Sequence, residues 1–339
     1  MIIDCHGHYT TAPEPHNAFR EAQKARLKDP SLPEPVYPDI SDDEIRETIE
    51  KNQLKLLTER GADMTIFSPR ASAMGHHIGK EETSIEWSRR CNDLIKRVVE
   101  LFPDTFIGVC QLPQSPGVPI SHSIAELERC VNELGFVGVL VNPDPSEGWN
   151  TTPPMGHEFW YPLYEKMCEL DVPGLIHSAG CCNMRESYSG HFVTEESIAT
   201  LSLVGSRTFL DFPDLKLIVV HGGGSVPYQI GRWRAERGLA TYAAAFPLKE
   251  SFDDSLKRLY FDTCLHAKES LELLFKVCGP ENCLFGTEKP GSGSAKNPAN
   301  GRDYDDIKST IEEIDFLSQA DRDMIFESNA KKLFTRFKG

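Results

Sequence analysis

The chain has 339 residues, 40% of them hydrophobic and 26% charged, with a formal net charge of -15. This length is large for one simple core but suits an α/β barrel, and the composition is that of a globular protein. The acidic balance excludes nucleic acid and anionic membrane as main partners, since both need a basic face, but allows a small anionic substrate gripped by local arginines.

The first apolar run begins at residue 2 and is too short for a signal peptide. It has neither a basic n-region nor a small-residue cleavage site, so a cytoplasmic protein is expected. No run of about 18 apolar residues is present, so no membrane span is expected. The 10 cysteines read as reduced, buried thiols. Adjacent Cys181 and Cys182 fit no metal-binding CxxC spacing.

Eight β-type runs follow in order: MIIDCH, DMTIFSP, FIGVCQLP, FVGVLVNP, VPGLIHSA, LKLIVVHG, LYFDTC and NCLFGTE. Most are continuous Val/Ile/Leu runs rather than alternations, the pattern of strands covered on both faces of a parallel sheet. Amphipathic segments separate them. DDEIRETIEKNQLKLLTERGA has an acidic first turn and a stop at Gly61; SIAELERCVNELGF stops at Gly135; WYPLYEKMCELDVP runs into Pro173; AKESLELLFKVCGPEN ends at Gly279 and Pro280. The repeated β-then-α plan predicts one domain over 1–339, a (β/α)₈ TIM barrel. The alternative, a doubly wound open sheet, lacks a Gly-rich dinucleotide turn after the first strand. Residues 10–40, 143–157 and 290–303 are poor in regular pattern. Each follows a strand end, so all three are expected as loops at the C-terminal face, where barrels build their sites.

Of the 11 histidines, four stand at predicted strand ends: His6, His8, His177 and His221. Residues i and i+2 of a strand share a face, so His6 and His8 point together into the barrel mouth. Neutral imidazole is a common metal ligand. Glu288 closes the eighth strand. His6, His8 and His177 with Glu288 make an N₃O set for one divalent metal; zinc suits it, with manganese or iron also compatible. His221, followed by three glycines, is the candidate proton carrier beside the metal, with a further ligand or a residue that orients one as the alternative. Arg70 and Arg232 are candidate carboxylate clamps. Asn142 and Ser178 are further strand-end candidates for substrate binding. His76, His77 and the RWRAER run read as solvated.

HxH after strand one, His after strand five, HGGG after strand six and an acid after strand eight resemble the amidohydrolase superfamily. The resemblance is nearer to the branch of the aminocarboxymuconate-semialdehyde decarboxylases, and nearest to the oxalomesaconate hydratases. It runs through IIDCHGHYT, ISDDEIRETIEKNQLKLLTERGADMTIFSPRASAM, SIAELERCVNELGFVGVLVNPDP and LFGTE. Decarboxylases of this branch usually carry Asp at the eighth strand; this chain has Glu288, as the hydratases do. The resemblance implies zinc on His6, His8 and His177, Glu288 on or beside it, and His221 as acid/base. It also implies a homodimer or higher homo-oligomer in which Arg232 reaches the neighbouring subunit's site. The hydratases place a proton-transferring tyrosine in the segment CCNMRESYSGHFVTEES. Here Tyr188 is offset, Phe192 stands near that place, and His191 is the candidate substitute. Lys289-Pro290 after the acid also departs from the pattern. The expected activity is hydration of a C=C bond in a small keto or enol polycarboxylate. The alternatives are nonoxidative decarboxylation and lactone or amide hydrolysis.

Overall fold

The β-branched and aromatic runs form eight strands: β1 (Ile3–His8), β2 (Met64–Ser68), β3 (Phe106–Gln111), β4 (Gly138–Val141), β5 (Gly174–Ile176), β6 (Leu217–Val219), β7 (Tyr260–Asp262) and β8 (Cys283–Leu284). The computed structural model of the protein describes residues 1–337. Each strand pairs in parallel with the next, in the order β1 to β8. The ring is drawn together between β8 and β1: Cys5 N–H donates to the Phe285 carbonyl at 2.8 Å and Glu288 N–H to the His6 carbonyl at 2.8 Å. All strand residues but Tyr260 are buried, as a sheet covered on both faces requires.

Alternate strand positions divide between two cores. Ile66, Ile107, Val109, Leu140, Leu175 and Ile218 belong to one apolar cluster, joined at its foot by Leu333 and Phe334. Their neighbours in sequence, such as Phe67, Cys110, Val139 and Ile176, pack into the larger cluster with the helices. The expected eight-stranded barrel is therefore present. Its helices include α1 (Glu14–Lys28), α2 (Asp42–Ile49, continuing through a π turn to Glu59), α3 (Glu81–Leu101), α4 (Ile124–Asn132), α5 (Tyr161–Leu170), α6 (Tyr188–Val204), α7 (Ile230–Gly238) and α8 (Lys268–Cys278). At the start of α2, Ser41 and Glu44 form a reciprocal capping box. Among the described residues no helix is long and apolar enough to cross a membrane.

Some expectations fail, for identifiable reasons. Residues 10–40 contain the 15-residue helix α1, which polar composition hid. It is held by long-range packing: His16 stacks on Trp87 at 4.6 Å and the Arg20 guanidinium lies 5.0 Å over the same ring. His76 is buried and bonded to Ser84 Oγ at 2.8 Å rather than solvated, and His77 beside it is half-buried. Within the RWRAER run Arg237 is buried, donating to the Val204 carbonyl at 2.9 Å with its guanidinium 4.2 Å over Phe246. The cysteines are free thiols as expected, but Cys168, Cys181 and Cys182 are partly exposed.

Two features of β1 and β8 position the site. The β1–β2 register passes from Asp4↔Thr65 to Gly7↔Phe67, so β1 carries one extra residue at the level of His6. Such a bulge re-aims a side chain. Below it, Asp4 is buried with Lys289, whose ammonium donates to Oδ2 at 2.8 Å; Thr287 Oγ1 donates to the same oxygen at 2.5 Å. Lys289 thus anchors the segment after β8 to the first strand. Replacing Lys289 with Met should leave a buried carboxylate without its counter-charge and cost about 3–5 kcal/mol in denaturant unfolding.

Candidate metal centre

β1 ends with His6 and His8, while His177 directly follows β5 and His221 lies just past β6. Their rings gather at one end of the barrel: centroids are 4.8 Å apart for His6–His8, 5.0 Å for His6–His177, 4.9 Å for His8–His177 and 5.0 Å for His177–His221. Glu288 completes the group, with Oε1 3.7 Å from His177 Nε2 and Oε2 3.7 Å from His221 Nε2. One donor atom from each of His6, His177, His221 and Glu288 lies within 4.8 Å of the others. His8 joins through its Nε2, 2.9 Å from His6 Nε2.

The outer ring nitrogens fix the tautomers. His177 Nδ1 lies 2.6 Å from the Ser178 carbonyl, which can only accept, so Nδ1 carries the proton. His6 Nδ1 donates to the Asp262 carboxylate at 2.5 Å. Ser68 Oγ spends its proton on the Gly7 or Pro69 carbonyl and accepts from His8 Nδ1 at 2.6 Å. Burial, reinforced by the neighbouring imidazoles, holds His6 and His8 well below the usual histidine range, so both rings are neutral. Each therefore turns a bare lone pair inward. His6 Nε2 and His8 Nε2 face each other with no proton between them, and His177 Nε2 is buried without a hydrogen-bond partner. Converging lone pairs of this kind, with a carboxylate beside them, fit a divalent cation, and the supporting Asp and Ser contacts are those that orient ligand histidines.

His221 is held differently. Its Nδ1 meets both Glu196 oxygens at 2.9 Å. Burial opposes charge on the ring, but Glu196 overrides it and raises His221 well above its usual value. Burial alone would raise Glu288; the His177 and His221 rings facing it hold it well below the carboxylate range. Both residues sit in the left-handed region, His221 at φ 50° and Glu288 at φ 56°. That backbone costs about 1–3 kcal/mol each and persists only where surrounding structure enforces it. Gly224, at φ 65°, is needed on steric grounds too: a Cβ there would lie 2.5 Å from the Val193 carbonyl.

A cavity of about 400 Å³ opens beside the cluster, lined by His8, Glu288, Arg70, Ser72, Tyr188 and Ser292 among others. Arg70 therefore lies at the cavity, its Nε bonded to Ser72 Oγ at 2.8 Å. Ser178 is buried next to His177 with its hydroxyl unpartnered. The remaining candidates lie elsewhere. Asn142 is buried, and its backbone exchanges hydrogen bonds with the Gln114 side chain, at 2.9 Å each way, which holds the end of β4. Arg232 is exposed on α7, away from this chain's cavity lining. His191 is fully buried against Glu186, with Nδ1 2.9 Å from Oε2, because it lies on the inner side of α6. Tyr188, at the start of α6, is the residue of that segment at the cavity, and Phe192 stacks on His221 at 5.8 Å.

Asp262, Glu196 and Ser68 are absent from the sequence candidates. Asp262 and Ser68 close β7 and β2, so the strand-end rule could have found them. Burial raises Asp262 to about 6 even beside the His221 charge. Glu196 carries no such signal: it lies on a helix, 25 residues before the histidine it orients.

Residues 3–336 match the amidohydrolase family. The chain is 50% identical to a 2-keto-4-carboxy-3-hexenedioate hydratase of Sphingobium, over 99% of this chain and 96% of the relative. It superposes on the crystal structure of a 4-oxalomesaconate hydratase from Rhodopseudomonas palustris with a TM-score of 0.89 at 42% identity, covering 99% and 96% of the two chains. A dihydroxybenzoic acid decarboxylase from Polaromonas, solved with bound manganese and 2-nitroresorcinol, gives 0.71 at 27% identity over 98% of this chain and 96% of its own.

Two substitutions test the geometry. His177→Ala should abolish stoichiometric metal content, read by elemental analysis. Asp262→Asn, which no longer enforces the His6 tautomer, should weaken metal affinity by about 10–100-fold in chelator competition.

Proposed function

The chain belongs to the amidohydrolase family, and from that premise we propose that it is a metal-dependent hydratase. It is a lyase that adds water across a C=C bond of an unsaturated keto or enol polycarboxylic acid, 4-oxalomesaconate or a near relative, in aromatic-acid catabolism. The observation that carries this reading is the likeness to two hydratases along nearly the whole chain, at far higher identity than to the decarboxylase. The whole barrel acts as one catalytic domain.

His6, His8, His177 and Glu288 hold the metal, and their N₃O set suits zinc. A divalent cation bound there supplies Lewis acidity to a substrate oxygen and eases deprotonation of a neighbouring water. The chain's own groups do the rest. Asp262, Ser68 and the Ser178 carbonyl keep three rings presenting Nε2 inward. Arg70, on the cavity wall, offers its guanidinium to a substrate carboxylate. Glu288, steadied by the Ser292 hydroxyl at 2.6 Å, takes the proton of the attacking water. His221, charged and fixed through Glu196, delivers the second proton from Nε2 to the carbon on which enolate charge gathers. One C–O and one C–H bond form, and the double bond is consumed. Phe192, stacked on His221, screens that face from bulk water.

The protein works as a cytoplasmic homo-oligomer. Its free thiols suit a reducing compartment, and Arg232, with no side-chain partner among the described residues, is free to reach a neighbouring subunit's pocket. A second reading, nonoxidative decarboxylation, has the manganese-bearing relative in its favour.

Zinc-loaded protein given 4-oxalomesaconate should bleach its conjugated absorbance and yield a product heavier by one water. Carbon dioxide release instead would overturn the hydratase reading in favour of the second. His221→Asn should retain metal and lose about 10²–10⁴-fold in kcat; unchanged turnover would remove its proposed role.

A further inference from the structure

Three loops at the rim, following β2, β4 and β5, bring His77, Glu147 and Cys182 together, outside the centre described above. Cys182 Sγ lies 3.4 Å from His77 Nε2, and Glu147 Oε2 lies 3.2 Å from His77 Nδ1. One donor atom from each lies within 4.8 Å of the others. Two of the loops are also tied by backbone, Cys182 N–H donating to the Glu147 carbonyl at 2.6 Å.

Glu147 is the residue that needs explaining. It is only 4% exposed, its Oε1 has no hydrogen-bond partner, and its backbone is held at φ 53°. His77 Nδ1 is also buried and, despite its proximity to the carboxylate, is not aligned for a hydrogen bond. A buried carboxylate with an idle oxygen is costly unless a cation compensates it. The nearby Arg20 guanidinium faces Glu147 electrostatically but donates its hydrogen bonds to the Met74 and Gly75 carbonyls, at 3.3 and 2.9 Å, and leaves Glu147 Oε1 without a partner. The space beside Glu147 is kept open by Gly180, where a Cβ would lie 2.6 Å from Oε2.

We propose that His77, Glu147 and Cys182 form a second, peripheral site for a thiophilic divalent cation such as zinc, clamping three loops at the rim of the barrel. Thiolate, imidazole and carboxylate are zinc's usual donors, and water supplies the fourth position. On binding, Cys182 gives up its thiol proton to solvent and a sulfur–metal bond forms, with no change of oxidation state. The loop after β5 leads into Tyr188 at the cavity and Phe192 on His221, so the clamp orders that wall of the pocket.

Cobalt(II) is the probe, because a thiolate ligand gives a near-ultraviolet charge-transfer band that nitrogen and oxygen ligands do not. Full-length wild-type protein should bind a second equivalent of cobalt per chain and show this band. Cys182→Ser should lose both and keep the first equivalent. His177→Ala should lose the first and keep the band, so failure of one site is distinguishable from failure of the other. Glu147→Gln, which preserves shape, should weaken the second equivalent at least about tenfold, and covers the case in which the serine variant fails to fold. A wild type without the band, or a band and stoichiometry indifferent to both Cys182→Ser and Glu147→Gln, overturns the proposal.

Discussion

Three imidazoles at the barrel mouth must keep their protons on the outer nitrogen for the proposed metal centre to form. Asp262, Ser68 and the Ser178 carbonyl each engage an Nδ1, and each leaves an Nε2 lone pair facing a common point. Any single ring turned to the other tautomer would put a proton where a ligand lone pair is needed. The barrel supplies these three partners from β7, β2 and the end of β5, so the requirement is spread around the ring of strands rather than stored in one loop.

Burial makes that arrangement effective. His6, His8 and His177 are all but inaccessible, and burial, the largest influence on His6 and His8, keeps those two rings uncharged. The same burial would neutralise Glu288 if no positive partner faced it. His221, charged through Glu196, prevents this. The imidazoles are therefore separated by environment: one is paired with a helix carboxylate and ionised, while His6 and His8, set among other imidazoles, are not. The strained backbones of His221 and Glu288 fall at the two residues to which the proposed mechanism assigns proton movement.

The support beneath is mechanical. The bulge of β1 turns His6 and His8 into position. The Asp4–Lys289 pair joins the strand that carries those histidines to the segment that carries Glu288. Lys289 ties the two ends of the donor set together. Nothing in the local sequence pairs residue 4 with residue 289; closing the ring brings them within reach.

Much of the molecule was legible in one dimension. Eight apolar runs and the helices between them determined the barrel, because hydrophobic period and run length reflect burial on two faces. Strand-end position singled out His6, His8, His177, His221 and Glu288, because in this fold strand ends converge on one face. Tertiary structure alone decided the rest. It set His191 against Glu186 and Tyr188 at the cavity, a choice of helix face that depends on how α6 docks. It made residues 14–28 a helix through contacts with Trp87, and it supplied His221 with Glu196 from a neighbouring element. Sequence periodicity records which faces are buried; it does not record which distant side chain will be found there, because that follows only once the strands have closed and the helices have packed.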